Sequence, residues 1–273
     1  MKRILKQIPF AKQIYRQFQE TQYKRQFAGD CYGGFWGVFQ TFEQAIQASP
    51  RTKNIGYDDA NLAHEYQQML EENNWENSGG VVGSFDYPVL FWLNSIFSHE
   101  EIQTIFDFGG NVGIHFYSYA KYIEYPANLK WTVCDVPTIV NAGVSLATKR
   151  CVQGLDFTIN SQDVNEKEIF LSSGTIQYVE SSVKTLFKNG KPKHVLINRL
   201  PLYDGEQFVT LQNGGKVFYP QYVFKKNQFI EELSTIGYEL IDIWEDRVDS
   251  CIIPFHPEKS VSCYHGLYLK LKY

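Results

Sequence analysis

Beyond residue 100 the apolar positions fall into short runs bounded by turn residues, at 104–108 (TIFDF), 130–134 (KWTVC), 155–159, 169–172 and 194–198. Stretches of helical period lie among them at 112–122, 137–150 and 179–187. Alternation of this kind predicts a parallel sheet with crossover helices. A helix at 226–236 then precedes two long strand-like runs, 238–244 and 261–271, with no helix between them. That pair predicts an antiparallel hairpin completing a seven-stranded sheet. The expected fold class is α/β, with a Rossmann-like, mostly parallel sheet.

The first hundred residues carry a different pattern. Ile4, Ile8, Ile14 and Phe18 recur at roughly helical spacing with basic residues between them, interrupted at Pro9. This reads as an amphipathic basic helix or helix pair, which either packs on its own domain or lies on an anionic membrane surface. Thr41 and Gln44 form a capping box that opens a short helix. Helices are expected at 61–72 and 89–97, joined by the glycine-rich stretch NNWENSGGVVGSFDYP. The chain thus divides into a mostly helical cap, 1–100, and a sheet domain, 101–273.

Composition narrows the classes. With 273 residues and 44% apolar content the chain can bury a substantial core. No long apolar run and no apolar segment with a cleavage site follows the basic N-terminus, so a cytoplasmic protein is expected. The five cysteines are scattered with no CxxC pair, which fits reduced thiols rather than a zinc ribbon. Residues 1–25 hold seven Lys or Arg against Glu20 alone, leaving 19 basic and 29 acidic residues in the remainder of a chain of net charge −4. That acidic balance excludes a general nucleic-acid binder, whereas residues 1–25 could touch anionic lipid.

The stretch FDFGGNVGIHFY, 106–117, concentrates the chemistry. A strand feeding a glycine turn that opens a helix suits a nucleotide-type ligand. The dinucleotide fingerprint fails because Asn111 stands two positions after Gly109, and the phosphate-loop pattern fails for want of Gly-Lys-Ser/Thr. Asp107, before the glycines, would repel a pyrophosphate and suits a cationic tail. Asp135, at the end of the next predicted strand, suits the two hydroxyls of a ribose. A positively charged, ribose-bearing ligand is S-adenosylmethionine.

The motifs IFDFGGNVG and WTVCDVPTIV resemble those of class I S-adenosylmethionine-dependent methyltransferases, small-molecule O-methyltransferases in particular. FLSSGTIQYVE, VLINRLPL, FVTLQN and IGYELIDIW are similar to a bacterial methyltransferase family often associated with surface-polysaccharide biosynthesis. The resemblance implies that Asp107, Gly109, Gly110 and Gly113 hold the methionine end and that Asp135 binds the ribose. It also implies that residues 161–163 border the adenine and that Ser173 and Gly174 sit beside the sulfonium. Asn111 departs from the commoner glycine but tolerates positive φ better than most residues. The implied activity is methylation of oxygen on a small or saccharide-linked acceptor. Transfer to nitrogen, carboxylate or phosphate, and a non-catalytic scaffold in a biosynthetic complex, remain as alternatives.

Among catalytic candidates His115 lies on the first turn after the loop, either as general base or as a packing residue. Gln177 and Tyr178 fall where methyltransferase acceptors commonly sit. Arg199 follows a strand end and could clamp an anionic group or simply form a salt bridge. No carboxylates stand in Ser172–Thr175 to hold magnesium, so no metal is expected. The oligomeric state is not legible.

Overall fold

The computed structural model describes residues 9–71 and 82–272, which divide into two compact units. The basic positions Lys2, Arg3 and Lys6, with Ile4 and Ile8, lie outside the described residues, as does most of the glycine-rich stretch before Tyr87.

The smaller unit comprises the chain to Gly56 together with Phe208–Gln221 and Ile252–Ser260. It holds α1 (Pro9–Phe27), β1 (Phe35–Phe39), α2 (Phe42–Ala48) and β2 (Asn54–Ile55). Two later strands join them, β9 (Phe208–Asn213) and the part of β10 (Val217–Lys225) up to Gln221, in the order β1-β9-β10-β2. Phe27 stacks on Phe218 in its core beside Leu211. Thr41 caps α2 as expected, accepting from the Gln44 amide at 3.2 Å, while Gln44 Oε1 accepts from the Gln40 amide at 2.9 Å.

The expected boundary at residue 100 is therefore corrected. The break falls after Gly56, and residues 208–221 and 252–260 return to the N-terminal unit. The physical reason is strand pairing: Trp36 sits opposite Leu211 and Phe39 opposite Val209, so the aromatic run at 35–39 is a strand.

The larger unit comprises Tyr57–Gln207, Tyr222–Cys251 and Val261–Tyr273. In chain order it contains α3 (Ala60–Glu71), α4 (Tyr87–His99), β3 (Thr104–Phe108), α5 (Ile114–Tyr119), β4 (Lys130–Cys134), α6 (Pro137–Lys149), β5 (Leu155–Thr158) and β6 (Ile169–Ser173). The short α7 (Val183–Leu186), β7 (His194–Leu200), β8 (Leu202–Tyr203), α8 (Lys226–Thr235), β11 (Tyr238–Asp246) and β12 (Tyr264–Leu271) follow. Seven of these strands form one sheet in the order β11-β12-β7-β6-β3-β4-β5. Pairing is parallel from β5 to β7, and β12 runs antiparallel to both β7 and β11. This is the Rossmann-like, mostly parallel sheet with a C-terminal hairpin that the apolar pattern predicts.

Both sheet faces are covered, which is why the central strands read as nearly continuous apolar runs. On one side Ile105, Trp131, Val133 and Leu171 meet Val89, Leu93 and Ile96 of α4. On the other Phe106, Phe170, Val195 and Leu267 meet Phe187, Phe229 and Leu233. Asp107 is the charged exception within β3.

Strand order reverses direction between β3 and β6, since β4 and β5 extend from one side and β7 from the other. A ligand crevice in such sheets opens outside the carboxyl ends at that switch point. Gly109 follows β3 there and Gly174 follows β6.

Candidate functional site

The turn after β3 is built on left-handed backbone. Gly109 has φ 74°, Asn111 φ 57° and Gly113 φ 93°. Asn111 thus takes the positive φ for which it is suited, and its Oδ1 accepts from the Val112 amide at 2.7 Å. The Gly109 amide donates to the Cys134 carbonyl at 2.7 Å, tying the turn to the end of β4.

Asp135, one residue past β4, completes that tie. Its Oδ2 accepts from the Asn111 amide at 3.0 Å and its Oδ1 from the Val136 amide at 2.8 Å. Burial pushes its pKa up to about 6, against the opposing effect of those two N–H donors. The same burial, with Asp135 alongside, pushes the Cys134 thiol up to about 12 and keeps it protonated.

Asp107 takes a different place from the one its spacing suggests. Its side chain is fully buried, with both oxygens 3.0 Å from His115 Nδ1, and Trp131 Nε1 donates to Oδ2 at 3.1 Å. The carboxylate therefore faces the interior behind the turn. A Cβ on Gly110 would stand 2.3 Å from Asp107 Oδ2, and one on Gly109 only 2.0 Å from Thr175 Oγ1. At these two positions glycine makes room for the protein's own side chains.

His115 on α5 is 13% exposed through its side chain. Burial opposes its charge, yet the Asp107 carboxylate outweighs burial and raises its pKa. Among the described residues no hydrogen bond to Nε2 is found, so that nitrogen remains available. The neighbouring Tyr119 donates to Asp86 Oδ1 at 2.7 Å, and burial, with Asp86 beside it, holds its hydroxyl protonated.

Past β6, Ser173 leads to Gly174 at φ 69°, whose amide donates to the Asn198 carbonyl at 2.9 Å. Gln177 is buried and its Nε2 donates to the Arg199 carbonyl at 3.3 Å. Tyr178 packs its ring edge-on against Tyr57, and burial raises its hydroxyl pKa, so it donates hydrogen bonds rather than accepting a proton as base. Asp163, in the stretch expected beside adenine, accepts from Thr158 at 2.6 Å and Asn160 at 2.7 Å.

Arg199 is the strained member. It adopts φ 56° within β7, an uncommon conformation for a side chain with a Cβ. Its Nε donates to Asp249 Oδ2 at 2.6 Å and its guanidinium lies 4.4 Å from the Phe85 ring centroid. Among the described residues neither Nη has a hydrogen bond, and Nη1 lies 3.8 Å from where a Gly174 Cβ would project. Asn198 braces this corner, donating to the Phe85 carbonyl at 3.0 Å and accepting from Trp244 at 3.1 Å.

The ends of β3, β4, β6 and β7 therefore bring together Gly109–Gly113, Asp135, Ser173, Gly174, Gln177, Tyr178 and Arg199, while Asp107 lies behind the turn and holds His115, which is near enough to Arg199 for the guanidinium to oppose its charge. Sequence reasoning missed Asp249, Phe85 and Trp131. Fifty positions separate Asp249 from Arg199, and no spacing rule links them. His194 is structural, held between Tyr268 Oη at 2.9 Å and Glu100 at 3.1 Å. No cluster of three or more metal-ligating side chains is found among the described residues. Nor is any described helix long and apolar enough to cross a membrane.

No family model matches the chain, and no curated protein does. Solved structures of methyltransferases are among its structural neighbours. The 1,6-didemethyltoxoflavin-N1-methyltransferase of Burkholderia thailandensis, with bound 1,6-didemethyltoxoflavin and S-adenosylhomocysteine, is 14% identical, and the match covers 77% of this chain and 91% of that one at TM-score 0.47. A SAM-dependent methyltransferase from Aquifex aeolicus is 13% identical over 79% of this chain and 100% of its own, TM-score 0.47. The magnesium protoporphyrin IX methyltransferase of Synechocystis PCC 6803, with bound SAH, is 12% identical over 79% and 100%, TM-score 0.44. The fold assignment rests on the strand order and register above rather than on these likenesses.

Proposed function

We propose that the larger unit binds S-adenosylmethionine and catalyses methyl transfer to an oxygen of a small or saccharide-linked acceptor. The observation that carries this reading is Asp135 at the switch-point edge, clasped by the Asn111 and Val136 amides. Each of its oxygens accepts one backbone N–H, and a carboxylate oxygen has two acceptor positions, so one on each remains for a vicinal diol. A ribose, whose two hydroxyls donate, fits that pair of acceptors. Asp107 then orders the turn from behind, and the Gly109–Gly113 backbone and the Ser173–Gly174 turn are the surfaces left for the methionine end.

The bound cofactor would supply an electrophilic methyl group, and the chain's task is to hold and deprotonate the acceptor. Asp107 fixes the His115 ring through Nδ1, leaving Nε2 to take a proton from an acceptor hydroxyl. Arg199, with Nε anchored on Asp249 and its plane on Phe85, offers its Nη edge to an anionic group on the acceptor. Gln177 supports that arginine through its carbonyl.

A base works in its neutral form, and His115 has its pKa raised. The acid limb of kcat/KM should therefore lie above the ordinary imidazole value of about 6.5. His115→Gln should lower kcat/KM by roughly a hundredfold or more and abolish that limb. A limb unchanged in the variant would assign the base elsewhere.

The reading is tested by following S-adenosylhomocysteine formation with a neutral hexose, a hexuronate, a sugar phosphate and a primary amine as acceptors. Turnover with oxygen acceptors, stronger for the anionic ones, is expected. Turnover with the amine alone would overturn the oxygen assignment. Cofactor binding with no turnover on any acceptor would favour the scaffold alternative.

A further inference from the structure

We propose that the outward face of α1 is a docking surface for anionic lipid. The inference concerns the smaller unit and is independent of the methyl-transfer reading.

The helix has two unlike sides. One is fastened to its own unit: Phe27 is buried against Phe218, Tyr23 donates to the Phe35 carbonyl at 2.8 Å, and Arg16 donates to the Phe255 carbonyl at 2.9 Å. These positions, 16, 23 and 27, are spaced by seven and four residues and so share a face. Across the helix, Ile14 and Phe18 are also four apart and leave 51% and 57% of their surface exposed, with Tyr15 beside them at 59%. Three large apolar side chains on adjoining positions of one helix are more than scattered surface apolarity.

Charge selects the occupant. Arg25, seven residues after Phe18, is exposed on the outward face, and Lys24 flanks it with its ammonium 4.4 Å from the Trp36 ring centroid, whereas Lys12, four residues before Arg16, lies on the fastened side and the single acid, Glu20, is paired with Arg16 at 2.8 Å. A second copy of the chain would bring a like-charged helix against this one. A nucleic acid would satisfy the cations but give Ile14 and Phe18 nothing apolar to enter. A lipid surface with anionic headgroups meets both demands, taking apolar side chains at the acyl boundary and cations at the headgroups.

The test is sedimentation of the full chain with vesicles of phosphatidylcholine, with and without phosphatidylserine. The chain should pellet with the phosphatidylserine vesicles, remain in solution with phosphatidylcholine alone, and be released by high salt. The double variant Ile14→Asp, Phe18→Asp should lose binding at least tenfold while its circular dichroism and melting stay unchanged, because both side chains are exposed. Arg25→Gln should weaken binding about fivefold, and Lys12→Gln, on the fastened side, should change it less. Three results would overturn the proposal: an unaltered chain left in the supernatant, a double variant that binds as well as the original, or a variant whose main change is a smaller oligomer in light scattering.

Discussion

Replacing Asp135 with Ala should weaken S-adenosylhomocysteine binding by more than a hundredfold at neutral pH while the chain remains folded. Two hydrogen bonds from ribose hydroxyls to an ionised carboxylate are lost, together worth roughly 3 kcal/mol or more. The fold should tolerate the change because burial lifts the folded pKa of Asp135 to about 6, above its unfolded value. A carboxyl with that shift holds its proton more tightly when folded, so its ionisation at neutral pH works against folding. Truncation removes that cost along with the bonds from the Asn111 and Val136 amides. The same pKa sets a pH dependence: affinity should be full above about pH 6 and fall as pH drops through that value. Calorimetric titration of the variant and of the unaltered chain between pH 5 and 8 reads both effects. Undiminished affinity in the variant would place the ribose elsewhere.

Asp107→Ala should instead unfold the larger unit readily. The substitution leaves the Trp131 N–H and His115 Nδ1 buried without their acceptor, and burial then favours the neutral imidazole; two buried polar groups left unsatisfied cost about 3–5 kcal/mol. In a unit of this size that corresponds to a fall in Tm of roughly 10 °C. Asp107→Asn, which still offers an oxygen, should lose less. Because the folded pKa of His115 is raised, its pairing with Asp107 contributes fully below the unfolded imidazole pKa. That contribution is lost as pH rises through the folded value, so the gap in stability between Asp107→Ala and the unaltered chain should narrow towards alkaline pH. Thermal melts across that range check it. A variant with unchanged Tm and weaker cofactor binding would return Asp107 to the cleft, the role its place before the glycines suggests.

Much of this architecture was legible because local signals and long-range pairing agree in the larger unit. The runs at 104–108 and 130–134 are strands with those limits, and the two closing runs without a helix between them form the hairpin. The sheet of the smaller unit was not legible, since β1 pairs with residues 170 or more positions away and Pro220 interrupts the strand pattern of β10. In the site, the positive φ of Asn111 followed from its chemistry. The inward turn of Asp107 did not: on a strand buried on both faces, alternation places Asp107 with Ile105 but says nothing of Trp131 and His115 waiting there. Likewise the strain at Arg199 depends on Asp249 and Phe85, each supplied by a distant segment.

The central claim is that the turn after β3, clasped by Asp135, receives S-adenosylmethionine, and titration calorimetry of the unaltered chain with S-adenosylhomocysteine tests it most directly. The account predicts saturable heat with one site per chain and a rise in Tm with ligand concentration. No heat and no shift in Tm at millimolar ligand would contradict it.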